Sequence, residues 1–244
     1  MKFIAILPVR LESTRLPNKA LKIIEKVPAI IHAYKRTSLS KYLDKVFIAT
    51  DSKIIQNVAK KFNCNVLLTK RHRNGSERIY EASKKLDFDY IINVQGDEVL
   101  VDPKNIDKMI EEIKKNKKDE YFLGTTFFKK KNQKNVFKAV IDNNGYLLYC
   151  SREDIPSSHI IKNKKMLKVV FIVCFKKSSL KKFVSMKVSN NEKSEPNEFL
   201  RILDNGFKIK TIKFDKAHIS LDTKSDLKTL RLLMKKDKII NKYR

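Results

Sequence analysis

The chain has 244 residues and a formal net charge of +27 at pH 7. This length fits one α/β domain with a substantial core, and no apolar run approaches the roughly 20 residues that span a bilayer. Residues 1–9 have the pattern of a strand and lack the features of a secretory leader, so we expect a cytoplasmic protein. The three cysteines are widely separated, which predicts reduced, buried thiols and neither a disulfide framework nor a clustered zinc site.

The positive charge comes mainly from lysine, with 44 Lys against 10 Arg. The lysines are scattered along the predicted helices and loops without interleaved aromatic residues. A general lysine bias explains this pattern as well as nucleic-acid binding does. We therefore expect a general attraction for anionic substrates within one Debye length, ~8 Å, and no specific nucleic-acid partner.

Short apolar runs alternate with helical patterns through the first half of the chain, which is typical of βαβ units and a parallel sheet. The predicted strands are 2–7, 45–50, 64–69 and 89–94. The predicted helices are 28–37, 53–62 with Ser52 as its N-cap, 76–86, and 103–115.

After residue 120 the pattern changes to closely spaced strand-like runs, which predict an antiparallel ribbon laid on the parallel core. The runs are 121–128, 136–142, 146–150 and 167–175, with 142–145 as a hairpin turn signal. We then expect a mobile loop over 185–194, a short helix over 195–204, a strand over 207–214 and a C-terminal amphipathic helix that starts near Asp222. The whole chain, 1–244, is predicted to be a single domain, in which residues 121–185 form a β-rich insertion used for dimer contact.

The loop 8–19 follows the first predicted strand and contains three cations, Arg10, Arg15 and Lys19, and two hydroxyls, Ser13 and Thr14. Arginine offers a planar donor fork for phosphate oxygens, and lysine offers a compact charge. Ligands of open α/β sheets bind beyond the carboxyl ends of the strands, so we expect a nucleoside triphosphate here. The loop lacks the spacing of a P-loop or dinucleotide motif, and the alternative is a solvated loop that is basic by composition.

The segment 95–98 ends a predicted strand in polar residues at the same edge of the sheet. Asp97 is thus positioned to hold Mg²⁺, which prefers one or two carboxylates with phosphate oxygens and water. Asp222 is a second candidate ligand. The alternatives are a polar turn at Asp97 and a helix N-cap at Asp222.

The segment 73–78 precedes a predicted helix and can hold an anion or the edge of a base. It offers Gly75 for close backbone approach, Ser76 as the helix cap and Arg78 as a further cation. The four histidines form no metal-ligand spacing and no nucleophile–base pair, so covalent catalysis is not expected.

Several ordered motifs cover nearly the whole chain, among them Pro-Val-Arg-Leu-Glu-Ser-Thr-Arg-Leu-Pro-Asn-Lys at 8–19 and Asn-Val-Gln-Gly-Asp-Glu at 93–98. The others lie at 46–51, 72–78, 145–156, 198–206 and 221–227. Together they resemble the 3-deoxy-manno-octulosonate (Kdo) cytidylyltransferase family. The resemblance implies a Rossmann-like, glycosyltransferase-A-like nucleotidyltransferase α/β fold: a mixed sheet flanked by helices, with an antiparallel β appendage. It also implies a homodimer that uses CTP, Kdo and Mg²⁺ to give CMP-Kdo and pyrophosphate for lipopolysaccharide biosynthesis.

On the matching positions, the resemblance implies roles for individual residues. In the nucleotide site, Arg10, Arg15 and Lys19 would hold the triphosphate, with Ser13 beside them, Gly75 and Ser76 near the cytosine, and Gln95 in contact with nucleotide or sugar. Asp97 and Asp222 would be the metal ligands. On the sugar side would lie Arg152, Glu195 and Glu198. Catalysis would depend on Arg10, Arg15, Lys19 and Asp97, because charge that grows on phosphate oxygens needs cations and metal more than covalent help.

Three positions or segments depart from the family pattern. Asn18 stands for a glycine, a mild change because Asn tolerates the left-handed backbone. The strand 169–175 lacks the family's imidazole, glycine and two phenols, and Phe199 stands for a glutamine. Since the last two departures fall on the sugar side, two alternatives stay open: another ulosonic (sialic-acid-like) acceptor, and a non-catalytic polyanion-binding protein on the same fold.

Overall fold

A computed structural model describes residues 1–129, 132–157, 159–160 and 165–244. They form two compact units, one of Met1–Asp107 with His218–Arg244 and one of Lys108–Ala217. The strands are β1 (Phe3–Pro8), β2 (Ile23–Ile24), β3 (Val27–Pro28), β4 (Lys45–Thr50), β5 (Val66–Leu68), β6 (Tyr90–Val94), β7 (Tyr121–Phe128), β8 (Lys138–Ile141), β9 (Leu147–Ser151), β10 (Met166–Lys176) and β11 (Lys210–Phe214). The helices are α1 (Ala29–Thr37), α2 (Lys53–Lys61), α3 (Gly75–Ser83), α4 (Pro103–Lys115), α5 (Lys177–Ser185), α6 (Asn190–Ser194), α7 (Phe199–Asp204) and α8 (Lys224–Lys235).

The first unit contains the predicted parallel sheet, in the order β6-β1-β4-β5. All six residues of β1 are buried, as expected for a parallel strand covered on both faces. The carboxyl ends of the four strands meet at one edge. The loop after β1 and the turn after β6 therefore start side by side.

Helix caps in the first unit confirm one prediction and correct two. The Ser52 hydroxyl accepts from the backbone N–H of Ile55 at the start of α2, as predicted. Ser76 does not cap α3, because it already lies inside the helix; the extended residue Asn74 does, accepting from Glu77 N at 2.9 Å. Asp222 is not an N-cap either, since Thr223 caps α8 in a capping box with Asp226.

The second unit contains the predicted antiparallel ribbon. Strand β7 pairs antiparallel with β10 and parallel with β11, and β8 pairs antiparallel with β9 and β10. Gly145 in the turn between β8 and β9 has φ +78°, a left-handed conformation that glycine adopts without strain. The hairpin predicted over 142–145 is thus confirmed.

The loop predicted over 185–194 is correct only in part: residues 186–189 lie outside any helix, whereas Ser185 ends one helix and residues 190–194 form another. Helix α5 ends at Ser185, and its buried side is formed by Ser179, Leu180 and Phe183. Helix α6 buries no residue, and a forked pair holds it, in which Arg201 donates twice to the Glu192 carboxylate at 2.6 Å.

All three cysteines are free and buried, as predicted. Within the described ranges, no helix combines the length and apolar character that crossing a membrane requires.

Candidate active site

A cavity opens in the first unit at the carboxyl edge of its parallel sheet. Its wall comes from the loop after β1, the start of α3 and the turn after β6. Most of the residues predicted for the nucleotide site line this cavity, namely Arg10, Ser13, Arg15, Lys19, Gly75, Gln95 and Asp97. Segments far apart in sequence are therefore brought together as the sequence predicted.

Lys19 links the two predicted metal ligands. Its Nζ lies 2.5 Å from Asp97 Oδ2 and 3.0 Å from Asp222 Oδ1, and Arg15 donates to the same Asp222 oxygen at 3.0 Å. The preceding residue, Asn18, has a left-handed backbone (φ 53°, ψ 37°), which Asn adopts more readily than most residues. The chain thereby turns so that Lys19 reaches both carboxylates.

The charges around Lys19 compensate one another. Burial by itself would lower the pKa of Lys19, but the attraction and hydrogen bonds of Asp97 outweigh it, with Asp222 adding to them, and the pKa is raised. The ammonium therefore stays charged through the neutral range. Both carboxylates retain a cationic partner without any ligand.

The two carboxylates fit what Mg²⁺ requires. One ammonium contacts both, so their oxygens are close enough to face one small cation. Mg²⁺ takes one or two carboxylates and completes its shell with phosphate oxygens and water, so this pair suffices for it.

Gly75 leaves open space in the cavity wall at the first residue of α3. A Cβ atom there would lie 3.1 Å from Pro8 Cγ and 3.4 Å from Gln95 Nε2, tighter than most side-chain contacts. Its neighbour Ser76 is fully buried and is not part of the cavity wall. Of the two residues predicted near the base, only Gly75 is thus brought to the cavity.

Arg78, which the sequence identified only as a further cation, forms a buried part of the cavity wall. Its guanidinium donates to Thr69 Oγ1 at 2.8 Å and to Asp51 Oδ2 at 3.1 Å. These partners directly follow β5 and β4. A single side chain of α3 thus fastens two strand ends beside the cavity.

His72 also lines the cavity and was missed by the sequence analysis. Its Nε2 is hydrogen-bonded to the Glu81 carboxylate, which also accepts from the backbone N–H of Lys70 at 3.0 Å. The His72 hydrogen bond is the largest cause that lowers the pKa of Glu81. The pairing joins a loop residue to a helix residue, so no local sequence pattern marks it.

The residues predicted on the sugar side lie in the second unit. Arg152 directly follows β9, and its backbone N–H donates to Glu195 Oε2 at 3.1 Å. Its guanidinium donates to Lys134 O at 2.8 Å and lies 4.2 Å from the centre of the Phe137 ring. Glu198 immediately precedes α7 and is half-buried. Arg152 and Glu195 are thus in direct contact, which the sequence did not predict.

The altered positions of the sugar side contact each other. Phe199 stacks on Phe171, within the altered strand, at a centroid distance of 6.4 Å. Phe137 meets Phe171 edge-on at 6.3 Å. The two departures from the family pattern therefore form one aromatic cluster.

A parallel sheet whose carboxyl edge carries several cations together with two carboxylates fits a metal-assisted nucleotidyltransferase. Sequence comparison agrees, because the family model described as Cytidylyltransferase matches residues 4–239. The chain belongs to the cytidylyltransferase family, and within it to the 3-deoxy-manno-octulosonate cytidylyltransferases.

Relatives and solved structures match over almost their full length. The 3-deoxy-manno-octulosonate cytidylyltransferase of Chlorobium phaeobacteroides (strain BS1) is 35% identical, covering 97% of this chain and 98% of that protein. The enzyme of the same name from Fusobacterium nucleatum is also 35% identical, covering 98% and 99%. A structure of CMP:2-keto-3-deoxy-manno-octonic acid synthetase complexed with CTP matches with a TM-score of 0.92 at 26% identity, covering 97% and 99%. The predicted fold class is confirmed.

Proposed function

We propose that the chain transfers CMP from CTP to the anomeric hydroxyl of Kdo, releasing pyrophosphate and forming CMP-Kdo for lipopolysaccharide biosynthesis. The observation that carries this proposal is the contact of Lys19 with the carboxylates of both Asp97 and Asp222. Lys19 and Asp97 line the cavity together with the basic loop. Relatives named for this reaction match along almost their whole length, which favours Kdo over another ulosonic acid.

The cations of the loop after β1 bind the triphosphate. Arg10 and Arg15 are both exposed, whereas Lys19 is partly buried; Arg15 and Lys19 donate to the same oxygen of Asp222. Arg15 and Lys19 neutralise the charge that grows on the pyrophosphate as it departs. To do so, Lys19 exchanges a carboxylate partner for phosphate oxygens.

Asp97 and Asp222 hold Mg²⁺ in this proposal. When bound, the ion polarises the α-phosphate and lowers the pKa of the attacking hydroxyl. The side chains of the chain hold the reactants in line: the sugar oxygen bonds to the α-phosphorus, the bond from that phosphorus to the pyrophosphate oxygen breaks, and the hydroxyl proton is released.

Arg152 provides the cation for the carboxylate of Kdo, because a planar guanidinium matches that group with two parallel hydrogen bonds. Glu195 and Glu198 lie on the same side. Residues 121–185 provide the dimer contact in this proposal. Phe127 is 50% exposed and Leu148 57% exposed, which supports a contact surface there, whereas Phe137 belongs to the core. We further propose a cytoplasmic enzyme, consistent with its free thiols.

The direct test is pyrophosphate release by the purified protein with CTP, MgCl₂ and a panel of ulosonic acids. We expect the fastest release with Kdo. No release with any acceptor, from protein that is shown to be folded, would contradict an enzymatic role.

Ligand-induced thermal stabilisation separates the alternatives independently of turnover. CTP at 100 times its dissociation constant stabilises a protein by ~2.7 kcal/mol, and we expect CTP to exceed ATP, GTP and UTP. A non-catalytic polyanion-binding protein would instead show no CTP preference and strongly salt-dependent binding to RNA.

A further inference from the structure

The peptide groups of Arg152 are held on both sides by side chains that are distant in sequence. Its N–H donates to Glu195 Oε2 at 3.1 Å. Its carbonyl oxygen accepts a short hydrogen bond from the ammonium of Lys138. The position of the Arg152 backbone is therefore fixed by an acid and a base that are not its neighbours.

Lys138 is fully buried, with 0% of its surface exposed. Besides the Arg152 carbonyl, its Nζ donates to the carbonyls of Gln133 at 2.9 Å and Val136 at 3.2 Å, and lies 3.2 Å from Asp154 Oδ1. Burying an ammonium destabilises the folded state unless acceptors satisfy each of its N–H groups. Here every partner belongs to one of two segments, 133–136 or 152–154, so the lysine locks these segments together.

Glu195 uses both carboxylate oxygens for the same purpose. Oε1 accepts from the Ser151 hydroxyl, and Oε2 accepts from the Arg152 N–H. The carboxylate is thus engaged by the chain that carries Arg152. This geometry suits a residue that orients Arg152 rather than one that contacts the sugar.

The Arg152 side chain is guided by the same segment. Its NH1 donates to the carbonyl of Lys134 at 2.8 Å, and its guanidinium lies over the Phe137 ring. Lys134 lies in the segment 133–136, whose carbonyls accept from Lys138, and Phe137 directly follows that segment. Moving this segment would move both the backbone and the guanidinium of Arg152.

We propose that Lys138 and Glu195 are positioning residues that set the acceptor-carboxylate site through Arg152; this rests on the proposed role of Arg152 toward Kdo. Misplacement of a binding group by about 1 Å can cost up to about 100-fold. The loss should appear in the use of Kdo and not in the use of CTP, since the cations and carboxylates of the nucleotide cavity lie elsewhere in the chain.

The kinetic test uses Lys138→Met and Glu195→Gln, which keep the length of each side chain. We expect the KM for Kdo to rise about 10-fold or more in each, with the KM for CTP and the thermal shift caused by CTP within about twofold of wild type. Lys182→Met and Glu112→Gln remove a lysine and a glutamate of the same unit whose ion-pair partners, Glu120 and Lys115, lie outside residues 133–138 and 151–154. Both controls should leave both KM values unchanged.

A double-mutant cycle tells positioning from an independent contribution. Arg152→Ala should raise the KM for Kdo strongly, and adding Glu195→Gln should then change it by less than about twofold. Full additivity of the two effects would overturn the proposal, as would an unchanged KM for Kdo in both single variants.

Amide hydrogen exchange provides a readout that needs no activity. Exchange of residues 151–154 should accelerate at least about tenfold in Lys138→Met and Glu195→Gln and stay at the wild-type rate in Lys182→Met. Unchanged exchange in both variants would overturn the inference whatever the kinetics. If exchange accelerates but Arg152→Ala leaves the KM for Kdo unaltered, the anchoring holds and the proposed sugar role of Arg152 fails. Because Glu195 is only partly buried whereas Lys138 is fully buried, Glu195→Gln keeps the test available should Lys138→Met fail to fold.

Discussion

Lys19 Nζ lies 2.5 Å from Asp97 Oδ2, so the loop after β1 is tied to the turn after β6 without any substrate. The same ammonium reaches Asp222 at 3.0 Å, and Asp222 directly precedes the cap of α8. Three distant segments are thus fixed around one charge. The cation and both carboxylates are therefore already assembled before any substrate binds.

Asp97→Asn should lower kcat by about 100-fold or more, because a neutral amide binds Mg²⁺ weakly and metal stabilisation of phosphoryl charge contributes several kcal/mol. The fold should survive, since the side chain is only partly buried. Pyrophosphate release and circular dichroism measure the two effects. Asp215→Asn, which removes an exposed carboxylate, is the control, and a wild-type rate for Asp97→Asn would refute the metal assignment.

Lys19→Met should raise the KM for CTP about 10-fold or more, since a charge-assisted phosphate contact is lost. It should also increase the stabilisation by MgCl₂ alone, because Asp97 and Asp222 then lack their shared ammonium. Melting curves with and without MgCl₂, compared with Lys22→Met from the same loop, test the second effect. Equal magnesium shifts in the variant and the wild type would count against metal binding by this pair.

Residues joining β2 and β3 offer a way to stabilise the protein. Glu25 and Lys26 both have positive φ values, 44° and 65°, and a two-residue hairpin of this kind favours Asn-Gly. Replacing the pair by Asn-Gly should raise the free energy of unfolding by ~1 kcal/mol, because side chains are strained in the left-handed region. Urea unfolding measures it, and Lys117→Gly, where φ is not positive, should not stabilise.

His32 should make stability fall in mild acid. Its Nε2 lies 2.8 Å from the Ile24 carbonyl, which can only accept, so Nε2 carries the proton and Nδ1 accepts from the Tyr243 hydroxyl. Burial lowers the pKa of His32 below the unfolded value of about 6.5. The stabilisation of the fold that neutral His32 provides is therefore fully present above the unfolded-state pKa. It is lost as the pH falls through the lower folded-state pKa.

Urea unfolding at pH 7 and pH 5 checks the His32 prediction. His32→Gln should be less stable than wild type at pH 7 and should lose less stability on going to pH 5. His159→Gln removes an exposed imidazole and should keep the wild-type pH dependence. An equal pH dependence in wild type and His32→Gln would show that this histidine does not titrate on unfolding.

Features that are local in sequence were the ones that could be predicted. Strands β1, β4, β5 and β6 and helix α4 follow from apolar runs and a proline at the helix start, and the cap at Ser52 follows from its residue type; the two-residue strands β2 and β3 were not predicted. Helix α6 was missed because it buries no residue and therefore shows no apolar period. Ser189 and Glu192 nevertheless have capping-box spacing, and the Ser189 hydroxyl accepts from the backbone N–H of Glu192.

In the candidate site, too, the local features could be predicted from the sequence and the contacts between distant segments could not. The cation loop and Asp97 are each visible as a motif. For Asp222, the sequence analysis left open a role as helix N-cap, which the structure assigns to Thr223 instead. The Thr-x-x-Asp spacing of 223–226 is a capping-box signal that could have resolved this choice. The bonds of Arg78 to Asp51 and Thr69, and of Arg152 to Glu195, join separate elements and leave no local trace.

Buried, forked contacts such as those of Arg78 change how the composition of the chain is interpreted. Arginine is the rarer cation in this sequence, with 10 residues against 44 lysines. Four of them line the cavity, namely Arg10, Arg15, Arg73 and Arg78. Two more, Arg36 and Arg201, are buried with several acceptors each. Six of the ten arginines thus lie at the cavity or in buried positions with several acceptors, where the planar donor fork of arginine offers a geometry that a lysine ammonium lacks.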